Sequence, residues 1–219
     1  MPPAPAPRHS PWAWHLVFAL IAIVAAAVAF HYDSALLAYF ADTKSDTAGD
    51  VASAVSKYGD WPPIAGFLIL LFGGAVALRS PKMGRLLLVV LLAASLGGLA
   101  ANGIRLLAGR ARPSAKLAPG WYGPHLGVQK LCSFPSAHTA VIAGGAAALA
   151  TLVPWSALPG VAAVVFMAWA RMRVGAHHLS DVTVGAFLGG WLGMWVVPRI
   201  PKSWPPARWF ERKDAAPQT

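Results

Sequence analysis

Long uncharged apolar runs alternate along this chain with short segments that gather nearly all of its charge. Residues 12–30, 61–78 and 86–104 each form such a run, bounded by charge or proline. A hydrocarbon layer about 30 Å thick is crossed by roughly 20 helical residues, and inside it every backbone polar group must be satisfied within the protein. The pattern therefore predicts three membrane spans here. Residues 139–170 carry no charge, are too long for one crossing, and contain Pro154, Pro159 and Gly160 where a tight turn would divide them into two spans. Residues 182–197, between Asp181 and Arg199, complete a predicted six. In the last span Gly185, Gly189, Gly190 and Gly193 recur at about one helical turn and predict close helix packing.

Composition agrees with a bilayer environment. Of 219 residues, 57% are hydrophobic and 12% charged, too apolar for a soluble domain of this size. The expected fold is all-α, a polytopic membrane protein built as one membrane-embedded domain over residues 1–219. Its Pro-rich start (about 1–10) and its tail from about 205 are expected to lack structure. The single cysteine, Cys132, forms no internal disulfide, and no Cys/His spacing marks a zinc site. The net charge of +10 mostly flanks apolar runs without interleaved aromatics, which argues for a membrane and against nucleic acid. Neither a Gly-rich nucleotide loop nor an internal repeat is present.

Lys and Arg in short loops set orientation. Arg79, Lys82 and Arg85 between spans two and three, and Arg199, Lys202, Arg208, Arg212 and Lys213 in the tail, are expected inside. The first loop holds Asp33, Asp42, Asp46, Asp50 and Asp60 against Lys44 and Lys57 and is expected outside. Both termini are then cytoplasmic. The first span loosely resembles a signal peptide, with Arg8 before it and the small residues Ala27 and Ala29 near its end, but its length favours a retained anchor. Arg105, Arg110, Arg112, Lys116, Lys130, Arg171 and Arg173 then fall on the outer side against the rule, and such a departure points to function.

Three clusters share that outer face. In RLLAGRARP, Arg105 and Arg112 are seven apart, on one side of the third helix if it continues past the interface. Paired guanidiniums suit a phosphate, and snorkelling to lipid headgroups is the plain alternative. In PSAH, Ser136 stands at the start of the fourth span, where free N–H groups and the helix dipole attract an anion; there a simple cap, with His138 as an interfacial histidine, is the alternative. In RMRVGAHHLSD, Asp181 lies four residues after His177, able to hold a ring N–H while the other nitrogen attacks an electrophile. A salt-bridged loop is the plain alternative there, and a metal held by His177, His178 and Asp181 the sharp one, though adjacent histidines on a helix point about 100° apart.

Together these motifs resemble the type 2 phosphatidic acid phosphatase superfamily, integral-membrane lipid phosphatases related to vanadium haloperoxidases. The family pattern Lys-x6-Arg-Pro, Pro-Ser-Gly-His, Ser-Arg-x5-His-x3-Asp reads here Arg105-x6-Arg112-Pro113, Pro135-Ser136-Ala137-His138 and Ala170-Arg171-x5-His177-x3-Asp181. The resemblance covers a catalytic core of about 86–197. It selects His177 over His178 as nucleophile. It implies a metal-free, cofactor-free hydrolysis through a phosphohistidine, with His138 as proton donor and then base, Asp181 orienting His177, and Arg105, Arg112, Ser136 and Arg171 holding phosphate oxygens. Three positions depart from the pattern. Arg105 replaces Lys, Ala137 replaces Gly and is harmless only at negative φ, and Ala170 replaces Ser, so activity with altered specificity is expected.

The expected substrate is a lipid phosphate at the outer face of the cell membrane, of the undecaprenyl pyrophosphate, phosphatidylglycerol phosphate, phosphatidic acid or lipid A class. Trp121, Tyr122 and His125 are candidates for an interfacial lid or for ordinary aromatic-belt residues, and Leu36, Leu37, Tyr39 and Phe40 for a segment lying flat on the bilayer. Rival functions are a lipid phosphotransferase using the same intermediate, and a non-catalytic membrane protein that binds an anionic lipid.

Overall fold

The computed structural model describes residues 12–42 and 46–211. Among them the chain forms seven α-helices: α1 (Ala13–Asp42), α2 (Asp46–Tyr58), α3 (Trp61–Ala77), α4 (Pro81–Ala108), α5 (Ala137–Leu152), α6 (Ala157–Arg173) and α7 (Leu179–Val196). The described residues contain no strand, only a single bridge between Arg110 and Trp121. The architecture is all-α, as the apolar pattern predicts. Its Pro-rich start lies outside the described residues.

Local chemistry sets the helix ends. Asp60 caps α3 by accepting the Trp61 N–H at 2.8 Å, with proline in the first turn, where a missing N–H costs nothing. α4 stops at Gly109, which adopts the left-handed conformation (φ +61°) at a point where a Cβ would collide with the Gly123 carbonyl. The fourth and fifth predicted spans separate at Val153–Ser156, in a 3-10 turn opened by Pro154 and closed by the Ser156 hydroxyl donating to the Val153 carbonyl at 2.8 Å. Pro159 and Gly160 lie instead in the first turn of α6, which tolerates proline.

Two expectations about the ends of elements are corrected. α1 runs twelve residues past the predicted boundary at Phe30, to Asp42, so Leu36, Leu37, Tyr39 and Phe40 belong to this helix and not to a flat loop. The tail holds structure as far as residue 211: Ala207–Phe210 form a 3-10 turn, and Phe210 is buried against Phe72 and over Gly84, while residues 212–219 lie outside the described residues.

The protein is a multi-pass membrane protein. α1, α4, α6 with its preceding turn, and α7 are long and apolar enough to cross a bilayer; α2 and α3, bent by 60°, make a fifth crossing if taken as one. α5, 16 residues long, is apolar but short, so the predicted count of six is approximate.

α5 lies at the centre, packed against α4, α6 and α7. In lipid the hydrophobic effect does not drive helices together, so close backbone approach supplies the packing energy. A Cβ at Gly185 would lie 2.5 Å from the Ser136 carbonyl, and Cβ atoms at Gly189 and Gly193 would collide with the Ala140 and Gly144 carbonyls. On the other side, Gly97 of α4 meets the Ala140 carbonyl and Gly144 meets that of Ala93, each leaving 2.6 Å for a Cβ. Gly190 faces open space. Arg85, near the start of α4, donates to the carbonyls of Trp204 (2.8 Å), Ile200 (3.2 Å) and Pro201, tying the tail to the end of the bundle that carries Arg79 and Lys82. Arg105 sits at the other end of the same helix.

The glycine seam is testable by thermal unfolding in detergent. Gly189→Val is expected to cost about 2–3 kcal/mol through overpacking, whereas Gly190→Ala stays neutral or gains slightly. Equal effects would discount the seam.

Candidate active site

The end of the bundle opposite the Arg85 latch gathers the C-termini of α4 and α6, the N-termini of α3, α5 and α7, and the 109–136 connection. A cleft of about 590 Å³ opens there, lined by Asp60, Asn102, Arg105, Arg112, Gln129 and His138 among others. Residues of the first two sequence clusters line it, and the third adjoins them behind, where the Ser136 N–H donates to the Asp181 carbonyl and His177 meets the Ser133 carbonyl.

Arg112 is not on a continuing helix, because α4 ends at Gly109; it is extended (φ −72°, ψ 150°), and the connection still brings it beside Arg105. Its Nε donates to the Cys132 carbonyl at 3.2 Å, and an Nη reaches Gln129 Oε1 at 3.5 Å. Arg105 Nη2 approaches the Pro135 carbonyl at 3.5 Å, while its buried Nε has no hydrogen-bond partner among the described residues. Arg171, also buried, donates through Nη1 to Ser56 on α2, and its Nε likewise lacks a partner among the described residues. These three cations lie within electrostatic reach of one another, with Asp181 and Asp60 the acids that act on the group. Such a cluster of like charges is unfavourable without an anion.

Ser136 is the N-cap of α5: its buried Oγ accepts the Thr139 N–H at 3.4 Å and the Thr139 hydroxyl at 3.0 Å, and its own N–H donates to the Asp181 carbonyl at 2.9 Å. Ala137 opens the helix and is not among the residues with positive φ, so its methyl group is tolerated. His138 follows in the first turn, with Nε2 3.5 Å from Asp60 Oδ1.

His177 precedes α7 and is 2% exposed. Its Nδ1 lies 2.7 Å from the Ser133 carbonyl. A carbonyl only accepts, so Nδ1 carries the proton and Nε2 bears a lone pair. That Nε2 is buried and has no hydrogen-bond partner among the described residues. The ring proton therefore goes to Ser133, and Asp181 Oδ2 stands 3.7 Å away, close enough for charge but not for a hydrogen bond. Asp181 is itself fully buried: Oδ2 accepts from the Ser133 hydroxyl (2.6 Å) and the His178 N–H (2.8 Å), and Oδ1 from Arg110 Nη1 (2.6 Å). The His178 ring turns to Asp181 at 3.2 Å, away from any shared ligand position with His177. Among the described residues no three His, Cys, Asp or Glu side chains converge as a metal site.

Several partners escaped sequence reasoning. Ser133, Ser56 and the backbone carbonyls carry no motif signal. Asp60 and Asp33 counted only toward loop charge, and Arg110 only as one outer cation. A charged residue at the edge of an apolar run was the available cue. Trp121, Tyr122 and His125 do not form a free flap: Trp121 packs on Phe134 and Arg110, the Tyr122 hydroxyl donates to Ala118, and His125 bridges Val128 N–H and the Arg105 carbonyl.

The chain belongs to the PAP2 superfamily, whose pattern it matches over residues 85–205. A lipid A 1-phosphatase of Rhizobium etli is 35% identical over 99 residues, 44% of this chain and 43% of that protein. An undecaprenyl-diphosphatase of Sulfolobus acidocaldarius is 34% identical over 61 residues, 27% of this chain and 30% of that protein. The aligned part thus spans less than half the length of these relatives. The crystal structure of a transmembrane PAP2-type phosphatidylglycerolphosphate phosphatase from Bacillus subtilis shares the fold, with a TM-score of 0.58 at 17% identity, covering 84% of this chain and 94% of that one.

Burial, opposed by Asp181 and reinforced by Arg171 and Arg105, pushes the His177 imidazole down to about 4. The unfolded chain takes up a proton near pH 6.5 that the folded chain refuses until about pH 4. Stability is therefore lost as pH falls through that window, by up to about 3 kcal/mol. His177→Gln is expected to flatten this part of the pH dependence of thermal unfolding in detergent; an unchanged slope would contradict a neutral buried ring.

Proposed function

We propose that the protein hydrolyses a phosphate ester or diphosphate on a membrane lipid through a phosphohistidine, without a metal. The observation that carries this reading is the His177 Nε2 lone pair, buried, with its tautomer fixed from behind, within electrostatic reach of Arg171 and Arg105. Nε2 attacks phosphorus in line as the bond to the leaving oxygen breaks, and His138 donates its proton to that oxygen. Burial and the Arg171 charge push the proton off the His138 ring, and Asp60, 3.5 Å away, opposes them in part. Water then attacks the phosphohistidine, giving its proton to His138, and inorganic phosphate leaves with His177 restored.

Arg105, Arg112 and Arg171 neutralise the equatorial oxygens, with Ser136 and the first N–H groups of α5 beside them. Asp181 supplies negative charge near the ring as it becomes cationic. Support for a lipid comes from an apolar groove of about 790 Å³ between α3, α5 and α6, which meets the polar cleft at Val141. We place the cleft on the outer side of the cell membrane with both termini inside, on the distribution of Lys and Arg between the two ends.

The test is phosphate release, with chelator present, by the detergent-purified protein from phosphatidic acid, phosphatidylglycerolphosphate, undecaprenyl diphosphate and lipid A. His177→Ala is expected to lose about 10³-fold or more and His138→Ala about 10²–10⁴-fold. His178→Ala keeps most of the turnover, because the backbone N–H that binds Asp181 survives the substitution. Turnover lost only in His178→Ala would overturn the assignment, and inhibition by chelator would restore a metal mechanism.

A further inference from the structure

α1 is held lightly. Of its thirty residues only Ala29 and Asp33 are buried, and it packs mainly along α7. A carboxylate at one of two buried positions on a mostly lipid-facing helix is strongly unfavourable unless fully paired. Asp33 is fully paired. Oδ1 accepts the Ser180 N–H at 2.8 Å, and Oδ2 accepts the Ser180 hydroxyl at 2.6 Å and Arg110 Nη2 at 2.8 Å.

The other end of the Arg110 fork, Nη1, donates to Asp181 Oδ1 and to Ser180 Oγ, each at 2.6 Å. Its guanidinium lies 5.2 Å from the Phe30 ring and 5.1 Å from that of Trp121. A bidentate fork between aromatic rings fixes both carboxylates it bridges.

We propose that Asp33 and Arg110 are positioning residues for the reaction, setting through Asp181 the orientation and charge that His177 meets. The proposal rests on His177 being the nucleophile. The geometric part is a relay. Arg110 holds Oδ1 of Asp181, which leaves Oδ2 facing the Ser133 hydroxyl, and Ser133 in turn holds the His177 ring proton. The electrostatic part is a count of charges. Arg110 alone would cancel Asp181; with Asp33 sharing Arg110, the row Asp33–Arg110–Asp181 keeps a net charge of −1 beside a ring that turns positive as Nε2 bonds to phosphorus. Asp33 lies outside the residues 85–205 that carry the family match, so this device belongs to the chain's own N-terminal helix.

The alternative is that the pair only staples α1 to the bundle. The full-length protein in detergent distinguishes the two, using whichever of the four lipid phosphates above the wild type turns over fastest. Asp33→Asn is expected to lower kcat about tenfold or more with KM within about threefold. It should also move the acid limb of kcat/KM to lower pH, because the ring loses a negative neighbour. The other charged or titratable groups facing His177 are unchanged: Arg105 on α4, His138 on α5, Arg171 on α6, and His178 and Asp181 at the start of α7. Arg110→Lys should recover part of what Arg110→Gln loses.

An unmoved acid limb with wild-type kcat, or a loss explained by the unfolded fraction alone, overturns the proposal. If Asp33→Asn does not accumulate folded protein, the Arg110 variants decide, and equal activity in Lys and Gln rejects positioning. His177→Ala runs in the same assay, and turnover surviving there sinks the nucleophile reading itself.

Discussion

Backbone contact between α5 and α7 is the constraint on which the site depends. Gly185, Gly189 and Gly193 let the two helices lie against each other at the carbonyls of Ser136, Ala140 and Gly144, and the Ser136 N–H donates to the Asp181 carbonyl. These helices begin beside each other, so their first turns and the residues just before them form a single structure. His138 belongs to one helix start, and His177 and Asp181 to the other. Any side chain in that seam would push apart the two elements that hold the histidines. Packing in a medium without a hydrophobic driving force and placement of the site therefore have the same cause.

Around that frame the electrostatics are divided into two neighbourhoods. On the cleft side, the guanidiniums of Arg105, Arg112 and Arg171 stand within electrostatic reach of one another, and together they favour an anion. Behind His177, every carboxylate oxygen is occupied by hydrogen bonds, and the charge is locked in place. A negative rear at Asp181 and a positive front at Arg171 and Arg105 polarise the imidazole between them. The neutral ring follows from burial, and its tautomer from the Ser133 carbonyl.

The apolar runs made the all-helical membrane fold legible, because backbone satisfaction in hydrocarbon leaves few other solutions. The three motif spacings made the gathering of Arg105, Arg112, Ser136, His138, Arg171, His177 and Asp181 at one end legible as well. Helix ends were less so. Pro154 and Gly109 stop helices through local geometry, but past Phe30 α1 meets the rest of the fold through tertiary contacts such as that of Asp33 with Arg110, across 77 residues. The proton acceptor for His177 is a main-chain oxygen and leaves no mark in side-chain identity. Asp181 has the expected spacing, yet Ser133 stands between its role and the ring. The tail beyond 205 reads as loop until the gap over Gly84 is seen to admit Phe210.

The shortness of α5 has a consequence for how a guest reaches the cleft. Sixteen residues rise about 24 Å, so this helix cannot reach both faces of a layer about 30 Å thick. Its C-terminal end is spliced to α6 by the Val153–Ser156 turn, and its N-terminal end carries Ser136 and His138. The cleft opens at the N-terminal end of this short helix, where Ala137, His138 and Val141 line it. On the proposed function, a lipid headgroup would enter the cleft at this end of α5 while its hydrocarbon tails stay in the bilayer.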